Sequence, residues 1–258
     1  MRTDRPRGPG KRGRAGHKRL RALALAGVAV LTCAALGTVT LSPGRGSQSQ
    51  WFSVFNGYGT TSVTGSGAQQ VITLSPGRAV TRADTHAALV LSKTWYEDFV
   101  AITHVRTVRQ LRRGAAGHPN PWEVGWVVWH YTSNQRFYAL TLEPTGWVLS
   151  KQDPAFRGGE RFLASGQFPL FRVGVTHNVG IVQIGNEITV SADGHRLAQF
   201  TDTQRPYLSG AFGVYSEDSV ARFWRIRLNP LPGSQAPSRP RISAPRAPLD
   251  PVGQPTIR

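Results

Sequence analysis

Two stretches of the chain concentrate the side chains that can do chemistry. Phe99–Arg109, FVAITHVRTVR, sets His104 and Arg106 two residues apart. Pro121–Asp153, PWEVGWVVWHYTSNQRFYALTLEPTGWVLSKQD, carries Glu123, Trp129, Tyr131, Tyr138 and Lys151, with four of the seven tryptophans. An aromatic ring stacks on the C–H face of a sugar, and a carboxylate accepts hydrogen bonds from neighbouring hydroxyls. Both residue types side by side are therefore the chemistry of saccharide recognition. Side chains alternate along a strand. Over Glu123–Tyr131, alternation groups Glu123, Gly125, Val127, Trp129 and Tyr131 on one face. Val124, Trp126, Val128 and His130 fall on the other. The all-apolar trio Val124, Trp126 and Val128 reads as core, which leaves Glu123, Trp129 and Tyr131 as an open, concave face.

His104 and Arg106 share one face of the neighbouring strand. His104 is a candidate proton shuttle, and Arg106 a candidate holder of an acidic sugar. Tyr138 and Lys151 are candidates to line the same groove. Each residue also has a structural reading. Trp129 would cover the sheet rim, His104 would bond at a sheet edge, and Arg106 would pair with Glu123. Tyr138 would be core and Lys151 a solvated charge.

For catalysis, Glu123 is the best acid or base, with His104 beside it. A glycosidase needs two carboxylates about 5–10 Å apart across a cleft, and no partner for Glu123 stands out. His86, His104, His118, His130, His177 and His195 lack zinc-ligand spacing. The single cysteine, Cys33, lies in an N-terminal apolar run, so the rest of the chain has no disulfide or thiolate nucleophile. There is no Gly-rich phosphate loop before a helix and no Gly-x-Ser-x-Gly. The loop carboxylates Asp202 and Asp218 are candidates for a structural calcium. No other cofactor is indicated.

The elements that must position these residues are short strands. Runs read as strands are Trp51–Phe55, Ala68–Leu74, Ala87–Leu91, Phe99–Arg109, Glu123–Tyr131, Phe137–Leu142, Gly146–Lys151, Phe171–His177, Ile181–Ile184, Glu187–Ala192, His195–Thr201, Ser209–Tyr215 and Ala221–Leu228. Ile184-Gly185-Asn186-Glu187 and Ala192-Asp193-Gly194-His195 are hairpin signals, and Glu143-Pro144-Thr145-Gly146 is a third tight turn. The expected fold is all-β: a two-sheet antiparallel jelly-roll sandwich over 51–228, preceded by one N-terminal apolar helix.

The ends differ from the middle. Net charge is +17, yet residues 1–21 alone hold nine Arg/Lys against one Asp. Much of the basicity is thus a tail effect, and no specific nucleic-acid partner is expected. Ala22 to Leu41 runs twenty residues without a charge, about a bilayer's span. With the basic block before it, this is a signal anchor or a cleaved signal peptide. Residues 42–258 would then lie outside the membrane or be secreted. Residues 42–50 read as a linker, and 229–258 as a disordered Pro/Arg-rich tail.

Phe99–Arg109, the WEVGWVVWHY and FYALTLEPTGWVLSKQD segments, the Val179–Asp202 ladder and the closing GAFGVYSEDSVARFWRIRL together resemble the concanavalin A-like lectin/glucanase superfamily. The likeness is nearest to its laminin G-like and 3-keto-disaccharide-hydrolase-like modules. It implies a jelly roll and a polysaccharide or oligosaccharide partner. The glucanase string Glu-x-Asp-x-x-Glu is absent, and Trp224 follows Phe223 where related modules carry a calcium-binding Asp. The expectation is an exported, membrane-tethered glycan-binding module. The alternatives are a glycoside hydrolase or polysaccharide lyase centred on Glu123, and a structural or protein-interaction module of the cell envelope.

Overall fold

A computed structural model describes residues 49–233. The expected helix at 22–41, residues 1–21, most of the linker and most of the tail lie outside the described residues.

The described chain forms fourteen strands. They are β1 (Trp51–Phe55), β2 (Thr60–Thr64), β3 (Val71–Ser75), β4 (Ala87–Tyr96), β5 (Phe99–Gln110), β6 (Gly125–Ser133) and β7 (Arg136–Glu143). Then follow β8 (Gly146–Gln152), β9 (Glu160–Gly166), β10 (His177–Ile184), β11 (Glu187–Ala192), β12 (His195–Thr201), β13 (Gly210–Glu217) and β14 (Ser219–Pro230). They build two seven-stranded antiparallel sheets. Sheet I runs β1-β4-β13-β6-β7-β8-β9, and sheet II runs β12-β11-β10-β5-β14-β3-β2. Neighbours far apart in sequence, such as β4 with β13 and β5 with β14, are the long crossovers of a jelly roll.

The expected tight turns form as read. Asp193 and Gly194 both take positive φ (50° and 81°), the turn whose twist suits a two-residue hairpin. Thr60–Thr64 and Glu160–Gly166 are strands that the sequence pattern does not reveal. Thr60–Thr64 carries one aliphatic residue, and Glu160–Gly166 mixes charged, apolar and small residues without clean alternation. Most of Phe171–His177 is loop rather than strand; only His177 enters β10.

The main core lies between the sheets. Sheet I contributes Val127, Trp129, Tyr138, Leu140 and Phe212, and sheet II contributes Phe99, Val105, Ile181, Val190 and Phe223. A second apolar cluster draws on sheet I strands and the loop residue before β6. It holds Leu89, Trp95, Val124, Trp126, Val128, Tyr131, Phe137 and Tyr215. Residues alternate between the two clusters along β4, β6, β7 and β13, so the second cluster covers the face of sheet I turned away from sheet II.

This reverses the reading of β6. Val124, Trp126 and Val128 occupy the outer face, and Trp129 points into the sandwich with no exposed surface. Trp129 Nε1 donates to Gln183 Oε1 of β10 across the core, and Gln183 Nε2 bonds the carbonyls of Gly185 and Tyr207. That bond fixes which face of β6 is inside. Tyr131 does not follow Trp129 inward, because His130 takes a positive φ (48°) and the ladder shifts there. Gly210 accommodates the kink, since a Cβ on it would lie 2.3 Å from the His130 carbonyl carbon.

Trp129→Ala should therefore cost about 3–5 kcal/mol of folding stability, measured by urea unfolding. A loss near zero would contradict the inward placement.

Candidate functional site

The outer face of sheet I holds a groove of about 300 Å³. Pro121, Trp122, Trp126, Thr141, Glu143, Val148, Glu160 and Phe162 line it. The register explains the floor. Tyr215, Trp126, Thr141 and Val148 stand directly opposite one another across β13, β6, β7 and β8. They form one continuous row on one face. Trp126 packs on Tyr215 with ring centroids 4.9 Å apart, and its indole N–H donates to the Trp122 carbonyl. That bond ties the loop before β6 over the groove. Trp122 (41% exposed) and Phe162 (68% exposed) are the accessible rings at its margin.

Carboxylates share this face. Glu143 accepts from the Thr141 hydroxyl at 3.1 Å and the Thr145 hydroxyl at 3.4 Å. Burial pushes Glu143 and Glu160 above the usual carboxylate range, and Glu143's charge raises Glu160 further. At the end of β13, Glu217 accepts from the Tyr215 hydroxyl at 3.1 Å. Burial, then the charges of Asp218, Glu123 and Glu160, push it up to about 8. Aromatic surface with hydrogen-bonding carboxyls in one cleft can stack on a sugar and hold its hydroxyls.

The residues expected to form the site are dispersed. Glu123 lies before β6 and is fully buried; Arg112 binds it through Nε, and Asn120 donates to it at 2.7 Å. The same guanidinium meets Asp218 at 2.8 Å and the carbonyls of Arg82, Ala116 and Asp84. Arg112 thus pins three loops together, and Glu123 is one of its anchors rather than a group facing a ligand. Trp129 and Tyr138 are core. Tyr131 is on the groove face but is buried against Phe137.

Lys151 is fully buried and uses all three protons. It donates to Asp202 Oδ2 at 2.6 Å, the Gln204 carbonyl at 2.8 Å and the Arg205 carbonyl at 2.7 Å. The Tyr138 hydroxyl donates to the same Asp202 oxygen at 2.6 Å. Although burial opposes it, Lys151, Tyr138 and the Gln204 amide hold Asp202 below the usual carboxylate range.

The calcium expectation is corrected here. A carboxylate and two carbonyls close on a cation at Asp202, but the cation is the Lys151 ammonium, and Asp218 faces Arg112. Among the described residues no group of three or more His, Cys, Asp or Glu side chains converges as a metal site. His104 and Arg106 sit on the outer face of sheet II, away from Glu123, Trp129 and Tyr138. They share no groove with them, so the pairing of Arg106 with Glu123 and the proton shuttle beside Glu123 both fail.

Glu143, Glu160, Trp122, Trp126 and Phe162 were not singled out from the sequence. For Glu143 the signal is the alternation of β7. Tyr138, Leu140 and Leu142 are core there, which sends Thr141 and Glu143 outward.

Comparison with solved structures decides the fold. Carbohydrate-binding module CBM66 from Bacillus subtilis superposes with a TM-score of 0.51 at 13% identity, covering 72% of this chain and 99% of that one. The chain shares the two-sheet jelly-roll fold of that module. Two more distant likenesses to this jelly roll are a protein of unknown function with a galectin-like fold from Bacillus subtilis and a glycoside hydrolase family 16 endo-glucanase from Bacteroides ovatus. The first has a TM-score of 0.44 at 12% identity, covering 69% of this chain and 88% of that one. The second has a TM-score of 0.42 at 9% identity, covering 69% and 94%. No family model matches the sequence, and no curated protein matches it.

The buried carboxyls give the jelly roll a pH signature. Glu217's folded pKa of about 8 lies above its ordinary 4.5. Its contribution to stability is complete below pH 4.5 and is lost as pH rises through 8. The melting temperature should therefore fall between pH 5 and pH 8, and Glu217→Gln should flatten that slope. An unchanged slope in the variant would assign the effect to another group.

Proposed function

We propose that this protein is a carbohydrate-binding module whose glycan lies in the groove on the outer face of sheet I. The observation that carries this reading is one cleft holding accessible Trp122 and Phe162 over a floor of Trp126, Glu143 and Glu160. Trp122 and Phe162 supply stacking surfaces, while Glu143 and Glu160 hydrogen-bond hydroxyls. Burial of Trp126 and Glu143 holds them in place before ligand arrives, which reduces the entropy cost of binding. The CBM66 likeness supports the scaffold.

Export and tethering through residues 22–41 belong to the same proposal. Their support is the uncharged twenty-residue run behind a basic block.

A second reading is favoured by one feature. Glu143 and Glu160 are two groove carboxyls with raised proton affinity, the chemistry of a glycosidase acid and base. It replaces the earlier candidate Glu123, which Arg112 holds out of the groove.

A glycan array probed with the full chain tests both. Trp122→Ala, at a partly exposed loop position, should lower binding at least tenfold with melting temperature retained. Retained binding would refute the groove as the site. Release of reducing ends from a bound polymer, abolished by Glu160→Gln, would establish the enzymatic reading.

A further inference from the structure

The outer face of sheet II carries an arrangement that the groove does not explain. Arg106 of β5 stands directly opposite Arg222 of β14, Trp224 opposite His104, and Arg227 opposite Ile102. Directly opposed residues share a face, and all three arginines are exposed. Arg225, also exposed, sits at a positive-φ residue of β14 (52°), close enough that its charge, after partial burial, lowers the proton affinity of His104. Among the described residues, none of these four arginines makes a salt bridge; the nearby Asp193 is engaged by His177 and the Asn178 amide.

Like charges directly opposite on adjacent strands destabilise a sheet. Arginines and lysines are commonly placed on edge strands to block unwanted pairing. That explanation fails here, because β5 and β14 are interior, flanked by β10 and β3. A repulsive pair retained mid-sheet is what a bound anion would offset, since a guanidinium fork takes carboxylate or sulfate oxygens in bidentate fashion. From the Arg106/Arg222 pair to Arg227 the strip extends four residues of β5, about 13 Å along the strand. That length suits a polymer bearing regularly spaced charges better than one small anion.

We propose that the outer face of sheet II is a second binding surface, for an acidic polysaccharide lying along Arg106, Arg222, Arg225 and Arg227. The neighbouring strand fits such a partner, since Thr73 stands opposite Arg222 and offers a hydroxyl beside the charges. Single-stranded nucleic acid fits less well. It requires a series of aromatic platforms, whereas the centre of this face has one indole, Trp224, packed on His104 with ring centroids 5.6 Å apart. Given the glycan proposed for the groove, the two faces would let one domain hold an acidic polysaccharide and a second glycan at once.

The test is affinity of the full chain for polygalacturonate, dextran sulfate, neutral dextran and oligothymidylate at two salt concentrations. Polygalacturonate or dextran sulfate should bind, neutral dextran should not compete, and binding should weaken with salt. Arg106→Glu and Arg222→Thr should each reduce binding at least tenfold, while Trp122→Ala leaves it unchanged. Arg106→Glu should also raise the melting temperature, because it converts a repulsive pair into an attractive one. Arg222→Thr removes the repulsion and so provides a second folded variant. Equal binding by wild type and both variants would place any polyanion affinity elsewhere, such as the basic residues 1–21, and overturn the proposal. Tighter binding of oligothymidylate, lost in the same variants, would overturn the saccharide assignment.

Discussion

A strand in a sandwich has two faces, and the core claims one of them. Everything this protein can offer a ligand from sheet I depends on which face that is. The decision is made at Trp129, whose indole crosses the sandwich to Gln183. Once Trp129 is inside, Val127 goes with it, and Trp126 must line the outer face. Antiparallel register carries the same phase to β7, β8 and β13. The groove exists because one strand's phase is locked, and its neighbours have no freedom to differ.

The charged residues that suggested a site are mostly fasteners. Arg112 draws together the loop before β4, the segment before β6 and the β13–β14 turn through Glu123, Asp218 and backbone carbonyls. Lys151 draws the Asp202–Arg205 segment onto β8. Removing a charge from water is costly, and these ions repay it only because nearly every donor has a partner. Lys151 spends all three of its protons this way and has none left for a ligand. Glu143 and Glu160 differ in their partners: among the described residues neither makes a salt bridge, Glu143 accepts only from hydroxyls, and burial raises the proton affinity of both.

The sheets divide their surfaces by charge. The groove face of sheet I gathers Glu143, Glu160 and Glu217, while the outer face of sheet II gathers arginines. The net charge of +17 conceals this separation. A whole-chain charge therefore says little about which partner either face would accept.

Much of the architecture is legible in the sequence. Asn and Asp beside Gly mark the hairpins, and period-two apolar runs mark most strands, because turn chemistry and alternation are local. Thr60–Thr64 and Glu160–Gly166 escape that reading. Their pairing partners, not their own side chains, make them strands. The candidate site was less legible for a related reason. Alternation says that Trp126 and Trp129 oppose each other but not which one is buried, and the apolar look of Val124, Trp126 and Val128 fits a groove floor as well as a core. Local pattern was enough for an all-β chain, its turns and the two-face partition of each strand. Packing of the two sheets settled which face turned inward, which charges met each other, and hence which residues were left to meet a ligand. Those outcomes depend on contacts between strands distant in sequence, and no local pattern encodes them.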